Sequence, residues 1–99
     1  MGDEELEELE AALELALINE YKAVVGTFDW AVETDRRFYL ANEVDVKVVT
    51  DSSPTLVEIN LKDAWVWDMY RTARFVPTVR ILTFRDVNIE RLPKEELAP

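Results

Sequence analysis

The chain has neither cysteine nor histidine among its 99 residues. Thiolate nucleophiles, thiolate metal sites, imidazole bases and imidazole ligands are therefore all excluded together. Zinc and haem readings fall with them, and no disulfide can staple the fold. The lack of cysteine agrees with a cytoplasmic location, which is the expectation, without requiring it. Glycine is almost as scarce, at Gly2 and Gly26 alone, so no glycine-rich phosphate loop can form. Ser52 and Ser53 are the only serines and have no histidine or evident lysine base nearby, which leaves nucleophilic catalysis unsupported. No apolar run approaches the roughly 20 residues that cross a bilayer, and the chain opens on acids rather than on a basic stretch followed by an apolar one. No membrane association is expected.

What remains is ample for one core. Hydrophobic residues make up 48% of the chain, with three Trp, three Tyr and four Phe, and a chain of this length buries roughly two thirds of its unfolded surface. Residues 1–99 are therefore read as a single domain. The net charge of −10 is unevenly placed. Asp3, Glu4, Glu5, Glu7, Glu8, Glu10, Glu14 and Glu20 give the first 20 residues a charge of −8 with no base, and the remainder carries −2. From Arg71 to Lys94 the sign reverses, with Arg71, Arg74, Arg80, Arg85, Arg91 and Lys94 set against Asp86 and Glu90. An acidic helix and a mildly basic C-terminal third attracting each other within one chain is the simplest reading.

Leu6, Leu9, Leu13, Leu17, Tyr21 and Val24 recur at spacings of three and four, one stripe of a helix expected over residues 3–25. Ala, Leu and Glu dominate the segment, its acids sit at the end the helix dipole favours, and Gly26 stands where a left-handed cap commonly ends a helix. After Gly26 the period changes to two and a sheet is expected over about 27–92. Phe28, Trp30 and Val32 alternate with Asp29, Ala31 and Glu33, Asp35-Arg36 is a two-residue turn, and Phe38, Leu40, Val44, Val46 and Val48 follow on one side of a second strand. Asp51-Ser52-Ser53-Pro54 is the clearest loop. A third strand points Val57, Ile59 and Leu61 inward. Unbroken alternation would drive Asp63 into the core beside Trp65 and Trp67, so a bulge or bend is expected near Lys62-Asp63, or else Asp63 caps a short helix. Pro77 bounds a final strand carrying Val79 and Ile81, with Val87 and Ile89 beyond. Residues 93–99 read as a loose tail. The expected fold is α+β: an N-terminal amphipathic helix on an antiparallel sheet of about four strands, with Leu9, Leu13, Leu17, Tyr21, Phe28, Val32, Leu40, Val46, Ile59 and Ile81 in the core.

Three strings, Glu33-Thr34-Asp35-Arg36-Arg37-Phe38-Tyr39-Leu40-Ala41-Asn42, Asp63-Ala64-Trp65-Val66-Trp67-Asp68-Met69-Tyr70-Arg71 and Phe84-Arg85-Asp86-Val87-Asn88-Ile89-Glu90, resemble a family of short actinobacterial proteins catalogued as a domain of unknown function. The resemblance runs from about Glu20 to Glu90. It implies an actinobacterial source, a cytoplasmic location and genes often lying near that of ribonuclease HII, and it brings no activity to transfer. Thr72 departs from the family pattern, which tends to place Pro after the Arg, and the first helix is unusually rich in Ala, Leu and Glu, as would suit a thermophilic source or an engineered variant.

Trp65, Trp67, Tyr70, Arg71, Arg74 and Phe75 form the candidate binding segment. Interleaved aromatics and guanidinium groups serve at protein interfaces and on single-stranded nucleic acid; the competing reading makes both Trp core and pairs the two Arg with local acids. Glu33, Asp35, Arg36 and Arg37 around the turn read as a self-satisfied charge cluster or a recognition corner. Asp29 and Glu33 are a nominal carboxylate pair, and the acids around Asp51 lack the pattern of a calcium loop. No catalytic residue, metal ligand or cofactor is assigned, and a carboxylate- or metal-dependent accessory enzyme is the remote alternative. The expected role is a non-catalytic adaptor with a protein partner. Nucleic acid held directly by residues 65–75 is the runner-up, opposed by the net charge. A second copy of the chain is a further partner the acidic helix would suit.

Overall fold

A computed structural model describes residues 2–93. Helix α1 spans Asp3–Val24 and tightens into a 3-10 turn at Val25–Thr27. Strands β1 (Trp30–Glu33), β2 (Phe38–Val49), β3 (Leu56–Val66), β4 (Phe75–Thr83) and β5 (Asn88–Arg91) follow. They form one antiparallel sheet in the order β4-β3-β2-β1-β5. The α+β class stands. The sheet has five strands where about four were expected, because Phe84–Val87 breaks the segment after β4 and carries the chain to the far edge. The loose tail expected over 93–99 lies, beyond Pro93, outside the described residues.

Two local expectations were right in place and different in mechanism. Gly26 ends the helix without a left-handed cap, since no described glycine has positive φ, and Thr27 closes the turn by donating its hydroxyl to the Val24 carbonyl at 2.6 Å. The Asp35-Arg36 turn forms without glycine because the Thr34 hydroxyl oxygen accepts from the backbone N–H groups of Arg36 and Arg37 at 3.2 and 3.0 Å.

The bend at Asp63 organises the sheet. Asp63 has φ of 53°, the only positive value among described non-glycine residues, and its carboxylate accepts from the Asn42 side-chain amide at 2.6 Å. Register with β2 and β4 is unbroken on either side, with Leu61 opposite Val44 and Val79, and Ala64 opposite Ala41 and Val76. No residue is inserted; instead the alternation of faces resets. Ile59 and Leu61 share a buried cluster with Ala64, Ala41 and Val32, whereas Trp65 joins Leu40, Phe28 and Leu17 beneath the helix. Short-helix capping by Asp63 is thereby corrected: β3 runs on to Val66. Pro77 lies inside β4 rather than at its boundary, two residues past Phe75 and level with the bend, on an edge strand where a missing N–H is tolerated. Residues of both edges, Val79 and Ile81 of β4 with Ile89 of β5, pack on the cluster centred on Val32 and Ile59. The helix-free face therefore carries its own cluster, with Tyr39, Val79, Ile81 and Ile89 half-buried on it.

The helix covers less of the sheet than its length suggests. Leu17 is 2% exposed, and Tyr21, Val24 and Val25 pack around it, but every residue from Gly2 to Ala12 is exposed. Two expected core positions are corrected for related reasons. Leu9 is 47% exposed because the first half of α1 projects past the sheet, and Val46 is 48% exposed because β1 pairs with β2 only as far as Ala41 and leaves Val46 uncovered on that side. Leu17, Phe28, Val32, Leu40 and Ile59 are buried as expected, and Leu13, Tyr21 and Ile81 are half-buried. The radius of gyration is 16.4 Å, against about 13 Å for a compact chain of this size.

Candidate functional site

The candidate binding segment divides at Asp68. Trp65 is fully buried, and its indole N–H donates to the Glu20 carboxylate at 2.6 Å. Trp67 is half-buried in an edge-to-face aromatic cluster, with ring centroids 5.3 Å from Tyr21, 6.2 Å from Phe38 and 6.0 Å from Trp65. Arg74 is 8% exposed. It donates to Glu20 at 2.9 Å and to the Asp68 carbonyl at 3.0 Å. Trp65 and Arg74 lie beneath the helix rather than on the surface, and both donate to Glu20 of α1.

The exposed remainder is Tyr70, Arg71 and Phe75. Tyr70 and Arg71 lie on a turn fixed by Asp68, whose side chain accepts from the Tyr70 N–H at 3.1 Å and whose carbonyl accepts from the Arg71 N–H at 3.2 Å. The Arg71 Nε donates to the Ala73 carbonyl at 2.7 Å. Phe75 is 57% exposed and stacks on Phe28 at 6.4 Å.

Charges around the Asp35-Arg36 turn are satisfied between elements rather than within the turn. Arg37 pairs with Asp68 at 3.1 Å and Asp35 with Arg85 at 3.4 Å. Arg36 has no ion pair among the described residues. Burial raises the Tyr39 phenol above its usual value, against the opposing pull of Arg37 and Arg71 beside it. A groove with cavities of about 620 and 240 Å³ runs from the turn past Tyr39 along β4. Among the described residues no group of three acids that could hold a metal ion occurs, and no helix is long and apolar enough to cross a membrane.

Sequence reasoning missed the projecting half of α1. Its apolar stripe is continuous in the sequence, yet Leu17, Tyr21 and Val24 seal onto the sheet while Leu6 and Leu9, 46% and 47% exposed, run on into solvent. The signal was present in the arithmetic of length: 22 helical residues extend about 33 Å, longer than a small curled sheet can cover. None of the seven acids from Asp3 to Glu14 makes an ion pair with a described residue.

An uncharacterized protein of Mycobacterium tuberculosis and one of Mycobacterium bovis are each 54% identical to this chain over 97 residues, covering 98% of it and 96% of the relative. No solved structure matches. A family model described as "Protein of unknown function (DUF2469)" matches residues 1–99, and the chain belongs to that family.

Proposed function

We propose that the protein is a non-catalytic adaptor that binds another protein through the projecting half of α1, in a setting of nucleic-acid processing or gene expression. The observation that supports it is the helix stripe that seals the fold at one end and stays uncovered at the other. Burying a Leu side chain is worth about 1.5–3 kcal/mol, so a rigid helix presenting Leu6 and Leu9 in one row offers a partner both apolar area and little ordering cost. Side chains equipped for catalysis are scarce in a chain without Cys or His.

The alternative, nucleic acid bound by residues 65–75, now rests on Tyr70, Arg71 and Phe75 alone. It also meets a net charge of −10, since phosphate affinity comes mainly from cationic neutralisation. Affinity purification from the native host, with and without nuclease, separates the two readings. Recovery of one defined protein after nuclease supports the adaptor, and loss of every partner on digestion overturns it.

A further inference from the structure

The surface that complements the projecting helix is present on the same chain, on the face of the sheet away from α1. Tyr39 and Ile81, which line the groove along β4, both belong to the cluster opposite the helix. Arg36, Arg37, Arg80 and Arg85 line the larger cavity with one acid, Asp35, and Arg71 and Asp68 line the smaller one; Arg37, Arg80 and Arg85 are paired with Asp68, Glu58 and Asp35. Leu82 and Phe84, 49% and 63% exposed, also line the larger cavity. Arg36 and Arg71 have no carboxylate partner among the described residues.

We propose that the first half of α1 of one copy docks in this groove of a second copy. The proposal rests on the reading of that helix half as a docking element, and a second copy seated on it competes with the outside partner for the same row of leucines. Three properties match. The helix stripe of Leu6, Leu9 and Leu13 is flanked by Glu5 and Glu10, an apolar ridge with acidic margins facing an apolar floor with basic margins. Residues 3–14 of the helix extend about 18 Å, and the β4 side of the groove, from Val76 to Thr83, about 23 Å. Charge also excludes the simplest alternative arrangement, because two helices each bearing −8 in their first 20 residues repel when packed side by side. The helix cannot enter its own groove: Leu17 and Glu20 fix it to the other face of the sheet.

The association is a contact between exposed charges of opposite sign and is therefore salt-sensitive. Sedimentation equilibrium of the full chain tests it in about 0.01 M salt, where screening reaches about 30 Å, and in about 1 M, where it reaches about 3 Å. The wild type associates in the first and is monomeric in the second. Two charge reversals at positions without ion pairs, Arg36→Glu with Arg71→Glu and Glu5→Lys with Glu10→Lys, each weaken association by about a hundredfold or more, with thermal midpoints unchanged. Mixing the two variants restores association, because the acidic helix of one then meets the basic groove of the other. A wild type monomeric in low salt overturns the proposal and leaves the adaptor reading intact. So does association that is indifferent to salt, or a mixture of the variants that stays monomeric.

Discussion

The Trp65 indole donates a 2.6 Å hydrogen bond to Glu20, a residue 45 positions earlier and on a different element. The same carboxylate accepts from Arg74 at 2.9 Å, so one glutamate ties α1 to β3 and to the turn before β4. Removing one member of such a group strands a buried cation or indole. Glu20→Ala and Arg74→Ala should each lower unfolding free energy by about 3 kcal/mol, the low end for breaking a buried pair because Glu20 keeps some solvent contact. The double variant should fall well short of the sum. Urea titration of the three variants checks this; an additive double variant would place the two residues in separate interactions.

The two halves of α1 should respond differently to the same change. Leu17→Ala removes a side chain that is 2% exposed and should cost about 2–5 kcal/mol, while Leu9→Ala, at 47% exposure, should cost less than about 0.5 kcal/mol. Equal losses in denaturant titration would mean that the first half of the helix is covered in the isolated chain.

Asp63 offers a backbone test. A side chain with a Cβ pays roughly 1–2 kcal/mol in the left-handed region, and a β-branched one has no local hydrogen bond to offset it. Both Asp63→Gly and Asp63→Val lose the contact with Asn42, so their difference isolates the backbone. Asp63→Gly should be the more stable by about 1–2 kcal/mol. Equal stability would show that the left-handed backbone at residue 63 carries no strain.

Hydrogen bonds from Asn60 and then Arg80 hold the Glu58 carboxyl below its usual range. A carboxyl lowered by folding adds stability above its unfolded value of 4.5, and that contribution is lost as pH falls through the folded value. Glu58→Gln should therefore be less stable than the wild type at neutral pH, with the gap closing on acidification below about 4.5. Thermal melts across that window read the convergence, and a gap independent of pH would show that packing rather than ionisation sets it.

Much of the fold was legible because period and propensity agree locally. The switch at Gly26, the turn at Asp35-Arg36 and the bend at Asp63 each follow from a few neighbouring residues. What was not legible depends on distant pairing. For Trp65 and Arg74 the residue types suit an interface and a core equally well, and what the sequence does not show is the arrival of the distant Glu20, which pairs with Arg74 where local acids were expected. Leu9 and Val46 are in phase with buried neighbours, yet phase says which face a residue occupies and not how far the covering element reaches. Among the described residues, the expected attraction between the first helix and the basic third is met by Glu20 with Arg74 alone. The other acids of the helix make no ion pair with that third among the described residues.

The division of labour along α1 is tested most directly by the double variant Leu6→Ala with Leu9→Ala, assayed at once for unfolding free energy and for recovery of the nuclease-resistant partner from the native host. Stability should stay within about 0.5 kcal/mol of the wild type while that partner is lost. Partner recovery undiminished in a stably folded double variant would contradict it.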